Sequence, residues 1–262
     1  MSEPFLKWAG GKRQLVNRLM PLVTSRIGRC HTYWEPFLGG GALALALSDD
    51  VGLKAVADAC APLVNAWLCV RDSPLQLGEE LQRLGQEHDA GQYYAVRAQP
   101  DRAGVVGAAR FIYLNKMGFN GLYRVNRSGR FNVPLGRGRV SALPTGDELL
   151  RLSERIHLWT VECADFEVLI DRSTRGDVVF ADPPYDGTFS YSSGFVDEDR
   201  VRLAYSLMKA SERGVAIILC DADTARTREL YGWAELTYVG ERRRVSCKTS
   251  DRPDADCLLV TA

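Results

Sequence analysis

YWEPFLGGGALALAL, residues 33–47, decides the fold. The segment reads as a strand running into a glycine turn at Gly39, Gly40 and Gly41, and the Ala/Leu run at 42–47 opens a helix. Working outward, LKAVA (53–57) reads as the next strand and ends at Asp58. PLVNAWLCV (62–70) reads as the following helix. Strand, turn, helix, strand and helix in this order begin a doubly wound, Rossmann-like α/β sheet. Further on, DVVFA (177–181) is a buried strand that enters Asp182, Pro183, Pro184 and Tyr185. Residues 199–212 read as a helix. VAIILC (215–220) is an all-apolar strand of the kind found inside a covered sheet. Residues 236–247 and 256–261 are expected to be the late strands that complete it.

Between the two halves the character changes. PLQLGEELQRLGQEHD (74–89) is amphipathic and helical, and 105–116 reads as a second helix. Asn126, Arg127, Ser128 and Gly129 form a turn signal between two short segments within 122–133, which suits a β-hairpin. The chain is therefore expected to divide into a discontinuous α/β domain, 1–73 and 149–262, and an inserted, mainly helical subdomain, 74–148. A chain of 262 residues that is 46% hydrophobic has ample material for one packed core.

The formal net charge is zero, but it is unevenly spread. Residues 102–146 carry eight basic residues and no acidic one: Arg102, Arg110, Lys116, Arg124, Arg127, Arg130, Arg137 and Arg139. Arg242, Arg243, Arg244, Lys248 and Arg252 form a second cluster. Such stripes suit a polyanion, although charges alone read equally well as a solvated face. Seven cysteines without a Cys-x-x-Cys pair, and three histidines far apart, offer no metal site. The thiols are expected to be reduced, in a cytoplasmic protein. No signal core or membrane span is visible, so neither a metal nor a membrane partner is expected, and the chain is read as a monomer.

Asp182, Pro183, Pro184 and Tyr185 carry the sharpest chemistry. The prolines fix φ and remove amide donors, holding the chain open at a strand end. The Asp182 carboxylate and the Pro183 carbonyl then serve as acceptors, and Tyr185 offers a flat face. An exocyclic amino group on an aromatic ring is a poor nucleophile because its lone pair is delocalised. Two acceptors gripping its two hydrogens favour a pyramidal nitrogen with a localised pair. The plain alternative is a proline turn with an incidental Asp and Tyr. The glycine turn suits a nucleotide-type ligand that must approach the backbone closely. Asp58, 17 residues after Gly41, stands where a carboxylate can bind a ribose diol, though an ordinary sheet-edge Asp reads there too. The dinucleotide Gly-x-Gly-x-x-Gly pattern is not met. FLKWAGGK (5–12) is no P-loop, since Leu6 stands at its first glycine and Arg13 where Ser or Thr is needed. Trp8 and Lys12 in this glycine-rich turn suit the amino-acid end of a cofactor instead, Lys12 pairing with its carboxylate.

Together, FLKWAGGK (5–12), EPFLGGGAL (35–43), AD (57–58), FIYLNKMGFNGLYRVNRSGRFNVPLG (111–136), ADPPY (181–185) and RRRVSC (242–247) resemble the Dam family of adenine-N6 DNA methyltransferases, the D12 class with its DPPY motif. The stretches fall in the family's order. The resemblance implies transfer of a methyl group from S-adenosyl-L-methionine to a flipped-out adenine in double-stranded DNA, with GATC as the site, in the cytoplasm of a bacterium or of a phage's host. It implies cofactor contacts at Trp8, Gly11, Lys12 and Asp58, with Glu35, Pro36, Phe37, Gly39 and Gly40 walling the site. Asp165 and Phe166 resemble the lining of the cofactor's adenine pocket, and Asp182 to Tyr185 the catalytic tetrapeptide. Phe119 and Asn120 resemble the pair that intrudes where the base leaves. Lys7, Leu122, Arg124 and Pro134 resemble base contacts and Arg137 a flanking one, with Asn126 and Arg127 also on the DNA side. RNA adenine or cytosine N4 as substrate, and a silent DNA-binding module, are the alternatives. The run of three glycines, and ACAPLV (59–64) without the Asn and Asp common there, depart from the pattern.

Overall fold

The glycine turn is flanked by β1 (Thr32–Glu35) and α1 (Ala42–Ala46). β2 (Leu53–Asp58) and α2 (Ala61–Asp72) follow, then four helices: α3 (Pro74–Gln86), α4 (Ala90–Ala98), α5 (Gly104–Met117) and α6 (Gly146–Ile156). The α/β alternation resumes with β3 (Thr160–Cys163), α7 (Phe166–Asp171), β4 (Val178–Ala181) and α8 (Asp197–Glu212). It closes with β5 (Ala216–Ala222), α9 (Ala225–Leu230), β6 (Glu235–Val239) and β7 (Cys257–Thr261). The structure, a computed structural model, describes residues 5–8, 16, 19–21, 24–25, 31–47, 52–185, 195–239 and 257–262.

The strands form one seven-stranded sheet in the order β3-β2-β1-β4-β5-β7-β6. β1 pairs in parallel with β2 and β4, β2 with β3, and β4 with β5. β7 alone runs antiparallel, between β5 and β6. Strand order reverses at the β1/β4 junction, and in open α/β sheets ligands bind beyond the carboxyl ends at such a point. Asp177 fixes that junction from below. It accepts from the Thr32 amide at 3.0 Å and from the Trp34 indole at 3.0 Å.

Side chains alternate across the sheet with period two. Tyr33, Val56, Val178, Phe180 and Ile218 face a core shared with Trp67, Leu77, Leu81, Ile112, Leu149 and Ile156. Trp34, Ala57, Val179, Ala181, Ile217 and Leu219 face the other layer, with Leu169, Leu203 and Leu207. The helices of residues 74–148 thus share the first core without a break. α3 buries Leu77, Leu81 and Leu84 on one stripe. α6 starts from a capping box in which Thr145 and Glu148 bond each other's backbone.

Some expectations need correction. The segment expected to pair as a hairpin does so only briefly: Val125 bridges Phe131 antiparallel, the Asn126 amide donates to the Arg130 carbonyl at 2.8 Å and the Asn132 amide to the Arg124 carbonyl at 3.0 Å, too short a ladder to make named strands. Pro134 brings no amide to a ladder. The Asn126 side chain takes the Ser128 and Arg130 amides, each at 3.0 Å, and shapes the turn between the two segments. Arg110 does not belong to a basic surface. It is buried, and donates to the Val96 and Arg97 carbonyls at 3.0 Å each and to Asp101. Of the late strand expected over 236–247, β6 covers the start and 240–247 lie outside the described residues. Among the described residues no helix is long and apolar enough to cross a membrane.

Candidate active site

Three acidic side chains stand at the carboxyl ends of β1, β2 and β4, beside the point where the sheet reverses. Glu35 ends β1, Asp58 ends β2, and Asp182 directly follows β4. Asp58 Oδ2 accepts from the Gly39 amide at 2.9 Å and Oδ1 from the Cys60 amide at 2.9 Å. The carboxylate therefore braces the glycine turn, and its remaining lone pairs are the ones open to a ligand. Burial raises its pKa, against the pull of those two amides.

The turn is tighter than a ligand alone would require. Gly39 and Gly41 have φ of 48° and 63°, in the left-handed region that favours glycine. A Cβ on Gly39 would lie 2.7 Å from the Trp8 ring, and one on Gly41 2.7 Å from the Trp67 ring. Trp67 also donates its indole N–H to the Gly39 carbonyl at 3.0 Å. The glycines let two indoles close on the backbone, a reason the sequence reading did not foresee.

Glu35 is buried under this turn and accepts from the Tyr33 hydroxyl at 2.8 Å. Burial pushes its pKa up to about 8; the Tyr33 hydrogen bond pulls it down, and the nearby Asp182 charge raises it further. A carboxyl whose folded pKa is raised gives stability that is present below pH about 4.5 and is lost as pH climbs through about 8. Glu35→Gln removes that titration. Its stability relative to the parent should improve steadily from pH 5 to pH 8 in urea unfolding, by about 2–4 kcal/mol across the range. A pH-independent difference would contradict a buried, protonated Glu35.

Phe37, Phe166 and Phe195 form an aromatic wall on the other side. The Phe37 and Phe166 rings stack at 5.5 Å, and Phe195 stands edge-on to Phe37 at 5.8 Å. Asp165 caps α7 by accepting from the Glu167 amide at 2.9 Å and also pairs with Arg202 at 2.9 Å. Arg202 lies 4.9 Å from the Phe166 centroid, so Asp165 and Phe166 are held together by one guanidinium. Pro36 is buried beside them in sequence. In the tetrapeptide, Asp182 and Pro184 are half-buried, and Pro183 and Tyr185 buried. Gly11 and Lys12 lie outside the described residues, as does the 242–252 basic cluster.

The other named residues lie at position 7 and within 119–137. Lys7, Phe119, Asn120, Arg124, Asn126, Arg127, Pro134 and Arg137 are exposed, and Leu122 is half-buried. Asn120 is the one non-glycine residue with positive φ among the described residues, at 54°. Arg124 donates to the Asn132 side chain at 2.7 Å. Trp8 stacks on Tyr123 at 5.9 Å, joining the glycine turn to the 119–137 segment.

Three contributors were missed from sequence. Asn115 accepts from the Lys7 amide at 2.9 Å and donates to the Lys7 carbonyl at 2.7 Å and the Gly121 carbonyl at 2.9 Å. It clasps the N-terminal segment to the Phe119–Gly121 turn. Its signal was an amide in an apolar helix, because a buried polar group needs partners. Tyr33 was legible as the residue two before Glu35 on the same strand face. Arg200 donates to the Pro184 carbonyl at 2.8 Å and pairs with Asp221 at 3.2 Å, contacts that no local pattern announces.

A parallel-dominated sheet whose order reverses between β1 and β4, with acidic side chains at the strand ends there, is a doubly wound α/β protein of the kind that binds ligands beyond those ends. Residues 8–245 match the family model described as D12 class N6 adenine-specific DNA methyltransferase. The chain belongs to that family: it is an adenine-specific DNA methyltransferase that uses S-adenosyl-L-methionine. It is 32% identical to the type II methyltransferase M1.LlaDCHI of Lactococcus lactis subsp. cremoris, over 98% of this chain and 94% of that one. It is 32% identical to the type II methyltransferase M.MjaIII of Methanocaldococcus jannaschii, covering 96% of each. It is 31% identical to the DNA adenine methylase of Escherichia coli K12, over 98% of this chain and 94% of that one.

Proposed function

We propose that this enzyme methylates adenine within GATC, with Asp182, Pro183, Pro184 and Tyr185 as its catalytic segment. The observation that carries the reading is the clasp at Asn115. It places Lys7, Phe119 and Asn120 on one rigid surface, while Trp8, the neighbour of Lys7, packs on the glycine turn beside Asp58. One short segment thus joins the side that reads DNA to the side that holds the cofactor.

The residues fit S-adenosyl-L-methionine. Asp58 keeps lone pairs for a ribose diol, and the Phe37 and Phe166 rings offer an apolar wall for an adenine. Gly39 and Gly40 bring backbone close, and Lys12 with Gly11 would meet the carboxylate of the amino-acid end. When bound, the cofactor supplies an electrophilic methyl group on a sulfonium.

The chain's own residues do the rest. Exposed arginines draw in duplex DNA, with affinity that falls steeply with salt. Phe119 and Asn120 fill the gap left by the extruded adenine, whose flipping costs a few kcal/mol. Asp182 and the Pro183 carbonyl accept the two amino hydrogens and turn the nitrogen lone pair toward the methyl group. Tyr185 stacks on the base. Orientation and these acceptors supply the catalysis.

Arg124, held by Asn132, would read a guanine, with Leu122 and Pro134 against a thymine methyl. Arg124→Ala should therefore relax selectivity at one base pair by about 1–3 kcal/mol. Methylation rates on duplexes with single base-pair changes measure this. Uniformly weaker binding with unchanged selectivity would make Arg124 a phosphate contact. The decisive test is to express the chain in a methylation-free host and sequence the DNA for modified bases. N6-methyladenine confined to GATC is expected, and another motif would overturn the site.

A further inference from the structure

The Asp182–Tyr185 segment has an unusual need. At Pro183 and Pro184 it lacks amide donors, so its own N–H groups cannot pin it there. At those two positions the backbone can be held only through its carbonyls. Arg200, in the first turns of α8, supplies a donor: Nη2 donates to the Pro184 carbonyl at 2.8 Å. Nη1 of the same guanidinium pairs with Asp221 at 3.2 Å, and Asp221 in turn accepts from the Ala222 amide at 2.7 Å. Asp221 sits in β5, the strand hydrogen-bonded to β4. The guanidinium therefore bridges the tetrapeptide to the strand beside the one it leaves.

The arrangement is expensive as a source of stability. The Arg200 and Asp221 side chains are only 10% and 3% exposed. Buried ion pairs of this kind often stabilise no more than apolar residues of the same volume. A cation near a helix N-terminus also opposes the helix dipole. What the pair does provide is direction. A planar fork bonded at both ends restricts the orientation of the Pro184 carbonyl. Its carbon Cζ also lies 5.5 Å from the Phe195 ring, which packs edge-on to Phe37. The same guanidinium thus touches the tetrapeptide and the aromatic wall.

We infer that Arg200, held by Asp221, is a positioning residue for methyl transfer, fixing the Pro184 carbonyl and with it the geometry of Asp182 to Tyr185. The inference rests on the role proposed above for that segment.

The test compares the parent with Arg200→Met, Arg200→Lys and Asp182→Ala, measuring kcat, cofactor and DNA Kd, and thermal melting. Arg200→Met should lower kcat by about 100-fold while both Kd values stay within about threefold. Arg200→Lys keeps the charge opposite Asp221 but not the fork, and should recover about tenfold of that loss. A folded Arg200→Met enzyme with kcat near the parent's overturns the inference. So does a loss shared equally among kcat, affinity and melting, which marks a structural role alone. Should Arg200→Met fail to fold, Arg200→Lys decides: lower kcat with unchanged affinities supports the inference, and unchanged kcat overturns it. If Asp182→Ala retains turnover, the tetrapeptide's own role fails and the Arg200 inference falls with it. If Asp182→Ala is inactive and both Arg200 variants turn over normally, only the Arg200 inference fails.

Discussion

Asp182→Ala should lower single-turnover methylation by about a thousandfold while DNA binding persists. The side chain leaves β4 directly at the sheet's reversal point, half-buried and close enough to Glu35 for its charge to raise that neighbour's pKa. Removing it takes away one of the two acceptors proposed for the amino group, together with its negative charge. None of the exposed residues proposed to contact DNA is altered, so affinity for duplex DNA should change little. Asp182→Asn offers a sharper comparison. It keeps an acceptor oxygen but adds an NH₂ with the wrong polarity, and should fall between the parent and the alanine variant. Rapid-quench methylation paired with fluorescence anisotropy on the same duplex separates the two effects. An alanine variant within tenfold of the parent's rate would remove Asp182 from the proposed role.

Gly41→Ala should cost about 2–5 kcal/mol of stability, or about 5–15 °C in Tm. Two effects add. The left-handed φ of 63° is unfavourable for any L side chain, by about 1–2 kcal/mol. The new methyl would also lie 2.7 Å from Cζ2 of Trp67. That ring cannot step aside. It is fully buried, bonded through its indole N–H to the Gly39 carbonyl, met edge-on by Phe5 at 4.8 Å and stacked on Trp159 at 6.0 Å. Gly104→Ala is the natural control. Gly104 has φ of 77° but nothing within 4 Å of a Cβ, so it isolates the backbone cost. Equal losses in the two variants would mean that Trp67 yields, contrary to this packing.

Much of the sheet was legible because its signals are local. The apolar run at 215–220 announced β5, and the alternation of glycine turn and Ala/Leu run announced β1 and α1. α6 was legible but unread: Thr145 and Glu148 spell a capping box, and Leu149, Leu152 and Ile156 fall on one face. β3 has only four residues, too few to show a period. The site divides in the same way. The residues of 5–8, 35–41 and 182–185 stand out because unusual residue types cluster there. Asn115 does not, because its partner Lys7 is 108 residues away. The grip of Arg200 on Pro184 likewise exists only once α8 has packed on the sheet. Asp58 was recognised as a ligand candidate, but its use of Gly39 and Cys60 amides depends on a turn geometry that no residue pattern states.

The position of β7 bears on how the protein is made. Among the described residues, β6 is joined to the sheet only through β7, which lies between it and β5. During synthesis β6 therefore lacks its described partner until residues 257–261 have left the ribosome. Until then the far edge of β5 stays open, a template for strands of other nascent chains. Stalling of translation just before this point should leave an aggregation-prone species.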